Sequence, residues 1–372
     1  TMTLNRHDQP SPTDRHSAPT PPAGDDVAHI LDFALRVPVA HLRPLLELAE
    51  LRLTGTKAEL RQAIEGAMAS GRLSYEQLVA FVDSVAPWGS QHVYLYDGPQ
   101  SSIASWRDVN GVKRLLRNHG LHGLLDSPIP LEMPDSLTVA RISTSNRRLE
   151  IVAIERREYI ERVPEHDTDV VPTDDIFYRA YARRVDRGLV ILDWNLASNT
   201  AALRITQLPG HATYEKKREE FFGLVRPWLS VDQFALLQLQ HAISRLHEAE
   251  ESTRPETRSA LRSYARQSGR SVTATSASVN DPLQGDAIID PMMQTLRQNG
   301  IGRRCSCNWL ASGASGHAGC TLADEVHTDI IGFHNRVNFP AHNDEASVTY
   351  VLSRIRSLST AAPRPARRRR SP

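Results

Sequence analysis

The stretch LTVARISTSNRRLEIVAIERREYIERV, residues 137–163, changes the rhythm of the chain. Apolar residues here fall two apart, as in Leu137 and Val139 or Leu149 and Ile151, which is the period of a strand with one face inward. LTVARISTS and RRLEIVAIERREYIERV therefore predict two antiparallel strands joined at Ser145-Asn146. The same period continues in IFYRAYARRV, RGLVILDWNL and TAALRITQL, residues 176–208. Two helices are expected next, over residues 212–229 and 231–252. Residues 135–250 thus form an α+β domain with a mostly antiparallel sheet.

Upstream, the period is helical. VAHILDFALRV, residues 27–37, places Ile30, Phe33, Ala34 and Val37 on one face before Pro38 stops the helix. AHLRPLLELAEL repeats the i, i+3, i+4, i+7 spacing with Leu42, Leu45, Leu46 and Ala49. Further helices are predicted from Thr56, from Ser74 to Val85, with Ser74 and Gln77 as a capping box, and over residues 109–118. Residues 27–130 read as an all-helical domain. Residues 1–26, rich in Pro, Thr and Asp, read as a disordered arm. Residues 251–287 read as a linker with one candidate strand, SVTATSASV. Residues 288–358 read as a C-terminal α+β segment, with one strand expected from VHTDIIGFHNRVNF, and residues 359–372 as a disordered basic tail. No internal repeat is visible.

Between two leucine-spaced helices lies LRLTGTKAELRQAI, residues 51–64. Leu51 and Leu53 staple the turn, Gly55 permits the reversal, and Thr54 or Thr56 caps the helix that Lys57, Leu60 and Ile64 begin. Backbone N–H groups at that helix start, with Lys57 and Arg61 beside them, offer an anion site. The pattern of Leu42, Leu45, Leu46, then Gly55, Lys57 and Leu60 resembles the SAP motif, a helix–extended–helix module that binds double-stranded DNA. The resemblance covers residues 39–64 and implies backbone-directed contact, with Thr56, Lys57 and Arg61 nearest the phosphates. The other reading is a plain helical hairpin, since residues 28–70 hold five basic and five acidic side chains. In domain order the chain also resembles, more loosely, the centromere protein N family. There a helical domain is followed by an apolar-aromatic stretch and a sheet domain that meets nucleosomal DNA. Here APWGSQHVYLYDGP, residues 86–99, holds that place.

Arginines cluster on the predicted strands. Arg147, Arg148, Arg156 and Arg157 lie on one segment, Arg183 and Arg184 on another, and Arg367, Arg368, Arg369 and Arg370 in the tail. If the two segments pair, one sheet face carries a band of arginines with interleaved tyrosines, a surface suited to nucleic acid. The alternative is a solvated face neutralised by Glu150, Glu155, Glu158 and Glu161.

Cys305, Cys307, His317 and Cys320 supply the donor types of a structural zinc site, although a Cys-x-Cys pair on a strand diverges unless the chain kinks. No other cofactor is implied. His327, His334, Asn335, Asn338 and His342 are residue types of a metal-dependent nuclease. Such a site needs them on a hairpin and a following helix. No phosphate loop or nucleophile elbow is present, so an enzyme is the weaker expectation.

Composition sets the frame. Lys and Arg total 44 against 43 Asp and Glu, which excludes a wholly basic nucleic-acid binder but leaves room for a local patch. No apolar run is long enough to span a bilayer, no secretory leader is visible, and the cysteines read as reduced thiols, so a cytoplasmic protein without a membrane partner is expected. The chain is thus expected to be a non-enzymatic binder of double-stranded DNA with an α+β fold. A protein–protein adaptor is the alternative, and a nuclease the second.

Overall fold

The computed structural model describes residues 24–130, 133–163, 168–171, 176–209, 213–251, 255–266, 269–278, 281, 283–311 and 322–360. They belong to two compact units, one ending at Val82 and one beginning at Asp83. The fold is α+β, helices first and an antiparallel sheet after. No helix among the described residues is long and apolar enough to cross a membrane.

The first unit holds α1 (Gly24–Ala34), α2 (Val39–Leu48), α3 (Lys57–Ala69) and most of α4 (Tyr75–Val85). α2 buries the expected stripe of Leu42, Leu45 and Leu46, and α3 buries Leu60, Ile64 and Ala67. Between them Glu50 turns left-handed (φ 54°) and the Leu51 N–H donates to Leu46 O at 2.8 Å, which ends α2. Gly55, at φ 151°, makes the next reversal, in a region that side chains rarely adopt. Thr56 is the cap of α3, and Ser74 and Gln77 form the predicted box on α4. Leu53 remains exposed and does not staple the turn.

The second unit is built on one sheet. In chain order its elements are β1 (Gln91–Asp97), α5 (Ile103–Arg107), α6 (Val109–Asn118), β2 (Thr138–Thr144), β3 (Arg148–Arg162), β4 (Thr168–Val171), β5 (Ile176–Tyr178), β6 (Tyr181–Asn195) and β7 (Thr200–Thr206). Then come α7 (Tyr214–Val225), β8 (Ala235–Leu236), α8 (Gln240–Ala249), β9 (Thr257–Ala265), β10 (Ser271–Thr275), α9 (Ile289–Asn299), β11 (Ile301–Trp309), β12 (Val326–Ile331), β13 (Arg336–Phe339) and α10 (Glu345–Thr360). The strand order is β10–β9–β11–β12–β13–β1–β7–β6–β3–β2, with β8 beside β13 on β1 and every pairing antiparallel. β4 and β5 pair only with each other.

Four expectations are corrected here. β1, the apolar-aromatic stretch placed ahead of the sheet, is its central strand. Residues 135–250 and 288–358 are parts of one sheet, not separate segments. Residues 251–287 supply two strands of the second half, β9 and the edge strand β10. VHTDIIGFHNRVNF is a hairpin, β12 and β13, turned by residues 332–335 with Asn335 left-handed (φ 52°).

A repeat invisible in the sequence organises this unit. A helix, a four-strand meander and a second helix occur as α6–β2–β3–β6–β7–α7, and again as α8–β9–β11–β12–β13–α10. β7 and β13 flank β1 and are both antiparallel to it, so they run parallel to each other. The helices of the two copies lie on opposite faces. Tyr94 and Tyr96 of β1 join the core of the first copy, around Trp194, Leu203 and Phe221. Val93 and Leu95 join the core of the second, around Trp309, Phe339 and Val351. An approximate two-fold along β1 relates the copies, and β1 serves both cores through its period of two.

The copies differ in their connections. In the first, β3 and β6 run 15 residues each, whereas β2 reaches only Ile154 and β7 only Val190. Beyond those points neither strand has a further strand beside it, although the Arg156 N–H donates to Pro134 O at 2.7 Å, and the ribbon is about 25 Å long at strand rise. In the second copy the distinctive insertion lies between β9 and β11 and carries β10 and α9; the matching β2–β3 connection is three residues, 145–147. Added elements on a shared scaffold are where function is to be sought.

Candidate functional site

At the hairpin turn, Thr56 and Glu59 form a capping box. The Glu59 carboxylate accepts from the Thr56 N–H (2.7 Å) and hydroxyl (3.0 Å), and the Glu59 N–H donates to the Thr56 hydroxyl (3.3 Å). These bonds to Thr56 hold the Glu59 carboxyl below its usual range. A carboxylate therefore already lies at the helix start where a phosphate was expected, and it complements the same dipole. Lys57 is exposed at the first position of α3, while Arg61 pairs with Asp32 and lies 3.7 Å from Glu65.

On the sheet β3 and β6 pair, but alternation puts Arg156 and Arg183 on one face and Arg157 and Arg184 on the other, so no single-face band forms, and the register brings acids across. Arg148 grips Asp193 with two bonds (2.7 and 2.9 Å) and Glu150 with a third (2.8 Å). Arg156 pairs with Glu158 at 2.7 Å, Arg183 pairs with the same carboxylate, and Arg184 pairs with Glu161 at 2.8 Å. The hydrogen bond from Arg183 holds the Glu158 carboxyl below its usual range. Arg157 is buried at the root of the ribbon, donating to Glu155, Thr206 O and Gln207 O, with Lys217 on the other Glu155 oxygen. Gly188 makes room for it, since a Cβ there would lie 2.1 Å from Arg157 Nε. Arg147, in the β2–β3 turn, is exposed and makes no ion pair among the described residues. Arg367 to Arg370 lie outside the described residues.

Farther out, the ribbon presents large apolar side chains. Ile160 is 73% exposed and Tyr181 is 61% exposed. Ile160 is opposite Arg183 and Tyr181 opposite Arg162, so the two are diagonal neighbours on one face. That patch was not read from the sequence, because only the register places residues 21 positions apart side by side.

Cys305 and Cys307 share the inner face of β11, both fully buried in the second core. The hydrogen bond with Cys305, and then burial, push the Cys307 thiol well up. His317 and Cys320 lie outside the described residues, among which no cluster of three metal-ligating side chains occurs. The nuclease alternative finds its hairpin and following helix in β12, β13 and α10. Its side chains, however, engage different partners: His327 meets Asn308 (2.7 Å), His334 meets Glu215 (2.9 Å), Asn335 caps Leu239 N–H (3.1 Å) and Asn338 donates to Asp329 (3.2 Å). They do not converge on one point.

No protein-family model matches the sequence, and no curated protein matches it.

Proposed function

We propose that the chain is a protein-binding adaptor whose docking element is the β3–β6 ribbon. The observation that carries this reading is the pair Ile160 and Tyr181, exposed side by side beyond the supported part of the sheet and bordered by arginines. Apolar and aromatic anchors with a rim of Arg are the usual make-up of a protein-binding hot spot. Four of the band's six arginines hold carboxylates of the same surface and a fifth is buried. Phosphate would have to displace those partners before it gained from them. A partner surface that is apolar with an acidic border fits without that exchange.

A photoreactive residue placed at 160 or 181 should form adducts with one protein species in lysate of the source cells. The same probe at Leu224, exposed on α7, should not. Ile160→Glu should remove the adduct formed from 181 while moving stability by no more than about 0.5 kcal/mol, as for other surface changes. Equal labelling from 224, or adducts with nucleic acid alone, would contradict the proposal.

The second reading, contact with double-stranded DNA through the SAP-like hairpin, is favoured by one observation. α2, the extended turn through Gly55, and α3 with exposed Lys57 reproduce the helix–extended–helix plan of that motif.

A further inference from the structure

We propose that the insertion between β9 and β11 builds a binding pocket for a small zwitterion of amino-acid size. A cavity of about 240 Å³ opens between α8, β9 and α9, below the roughly 300–1,000 Å³ usual for drug-sized ligands. The equivalent place in the first copy has no counterpart to α9, so this cavity belongs to the insertion alone.

Its walls carry both charges. Arg262 is buried on β9, bonded to Glu250 and 3.8 Å from Asp290 of α9. Arg297, also of α9, pairs with Glu251 at 2.8 Å. Met293 and Pro291 give the cavity an apolar side. At the inner end sits His247, 2% exposed, with Nδ1 against the Tyr264 hydroxyl. Two nitrogens of this wall, His247 Nε2 and Arg262 Nε, are buried without a hydrogen-bond partner among the described residues. Buried polar atoms are rarely left so, and here the two belong to neighbouring side chains that line one cavity, where a polar ligand would satisfy both. Burial and the charges of Arg262 and Arg297 disfavour the charged imidazole, and when Nδ1 accepts from the Tyr264 hydroxyl the ring's one proton is on Nε2, which then donates to a ligand oxygen.

The ligand chemistry follows from the wall. A carboxylate is matched by Arg262, Arg297 and the free nitrogens, and an ammonium by Asp290 and Glu251. A simple anion that took Arg297 or Arg262 would leave Glu251 or Asp290 without its partner, and a simple cation that took those carboxylates would leave a guanidinium without one. Only a molecule with both charges answers the whole set.

Calorimetric titration of the full chain with each proteinogenic L-amino acid, and with the corresponding amines and carboxylic acids, tests this directly. At least one amino acid should bind saturably at millimolar concentration or below, and its amine and acid counterparts at least about tenfold more weakly. Arg297→Met and Asp290→Asn should each weaken binding about tenfold or more while the unliganded melt shows the variants folded. No saturable binding by any amino acid, equal binding of amine or acid alone, or binding untouched by both substitutions would overturn the proposal.

Discussion

Acidification from pH 7 to about 5 should destabilise the second unit by about 2 kcal/mol through buried His92, and further in the same direction through buried His247. His92 lies on β1, 9% exposed, with its ring 3.7 Å from that of Tyr214. Burial first, and then the charge of Arg336, lower it from 6.5 to about 3, with Asp329 opposing. His247 is lowered well below 6.5 by burial and by Arg262 and Arg297. A folded-state value below the unfolded one means that the unfolded chain binds the extra proton. Stability is therefore full above pH 6.5 and falls as pH drops, for His92 down to about 3, by about 1.4 kcal/mol per unit per group. Urea unfolding at several pH values between 7 and 5, where most carboxylates are still charged, measures the slope. His92→Phe should lessen it. A stability that is flat over this range would show that neither imidazole is held neutral.

Glu250→Ala should cost about 3–5 kcal/mol, the usual price of leaving a buried charge without its partner. Glu250 follows α8 and is 1% exposed. One oxygen accepts from the hydroxyls of Thr257 and Ser259, both at 2.7 Å, and the other from Arg262. Without it, Arg262 keeps, among the described residues, only Asp290, at 3.8 Å, and two buried hydroxyls lose their carboxylate acceptor. Glu250→Gln retains an acceptor and should fall between wild type and alanine. Glu250→Leu combined with Arg262→Met should recover much of the loss, because removing both charges avoids the unpaired one. Chemical denaturation decides: an alanine variant within about 1 kcal/mol of wild type would mean that this cluster does not anchor β9 to α8.

Much of the helical unit was legible because its signals are local. The leucine stripe of α2, the Thr56 cap and the Ser74–Gln77 box each lie within a few residues. The hairpin of β2 and β3 was legible from its period. β1 was not, since QHVYLYD is buried on both faces and shows no alternation of apolar and polar residues. β9 was missed for the opposite reason. Its inward positions include Thr257, Ser259 and Arg262, whose burial is made tolerable by Glu250, and a polar strand of that kind reads as a linker. The repeat escaped because shared topology needs only matching periods, which unlike residues supply equally well.

The candidate sites divide along the same line. Clustering of arginines on residues 147–157 and 183–184 is a one-dimensional fact, and the register divides them between the two faces of the ribbon. Their neutralisation depends on pairs such as Arg148 with Asp193, 45 positions apart, and Arg183 with Glu158, 25 apart. The pocket draws His247, Arg262 and Arg297 from three elements, and no spacing rule joins them.

Salt-titrated binding of the full chain to duplex DNA tests most directly whether the arginine band is spent within the protein. Each phosphate neutralised adds about 0.9 to the steepness of the log–log plot. With its guanidinium groups paired to Glu158, Glu161 and Asp193, the ribbon should contribute almost nothing. Affinity should stay in the non-specific range, about 10⁻⁴–10⁻⁶ M at physiological salt, and Arg183→Ala with Arg184→Ala should leave the slope unchanged. A slope of several units that falls by about two in that double variant would contradict the account and make the ribbon a DNA surface.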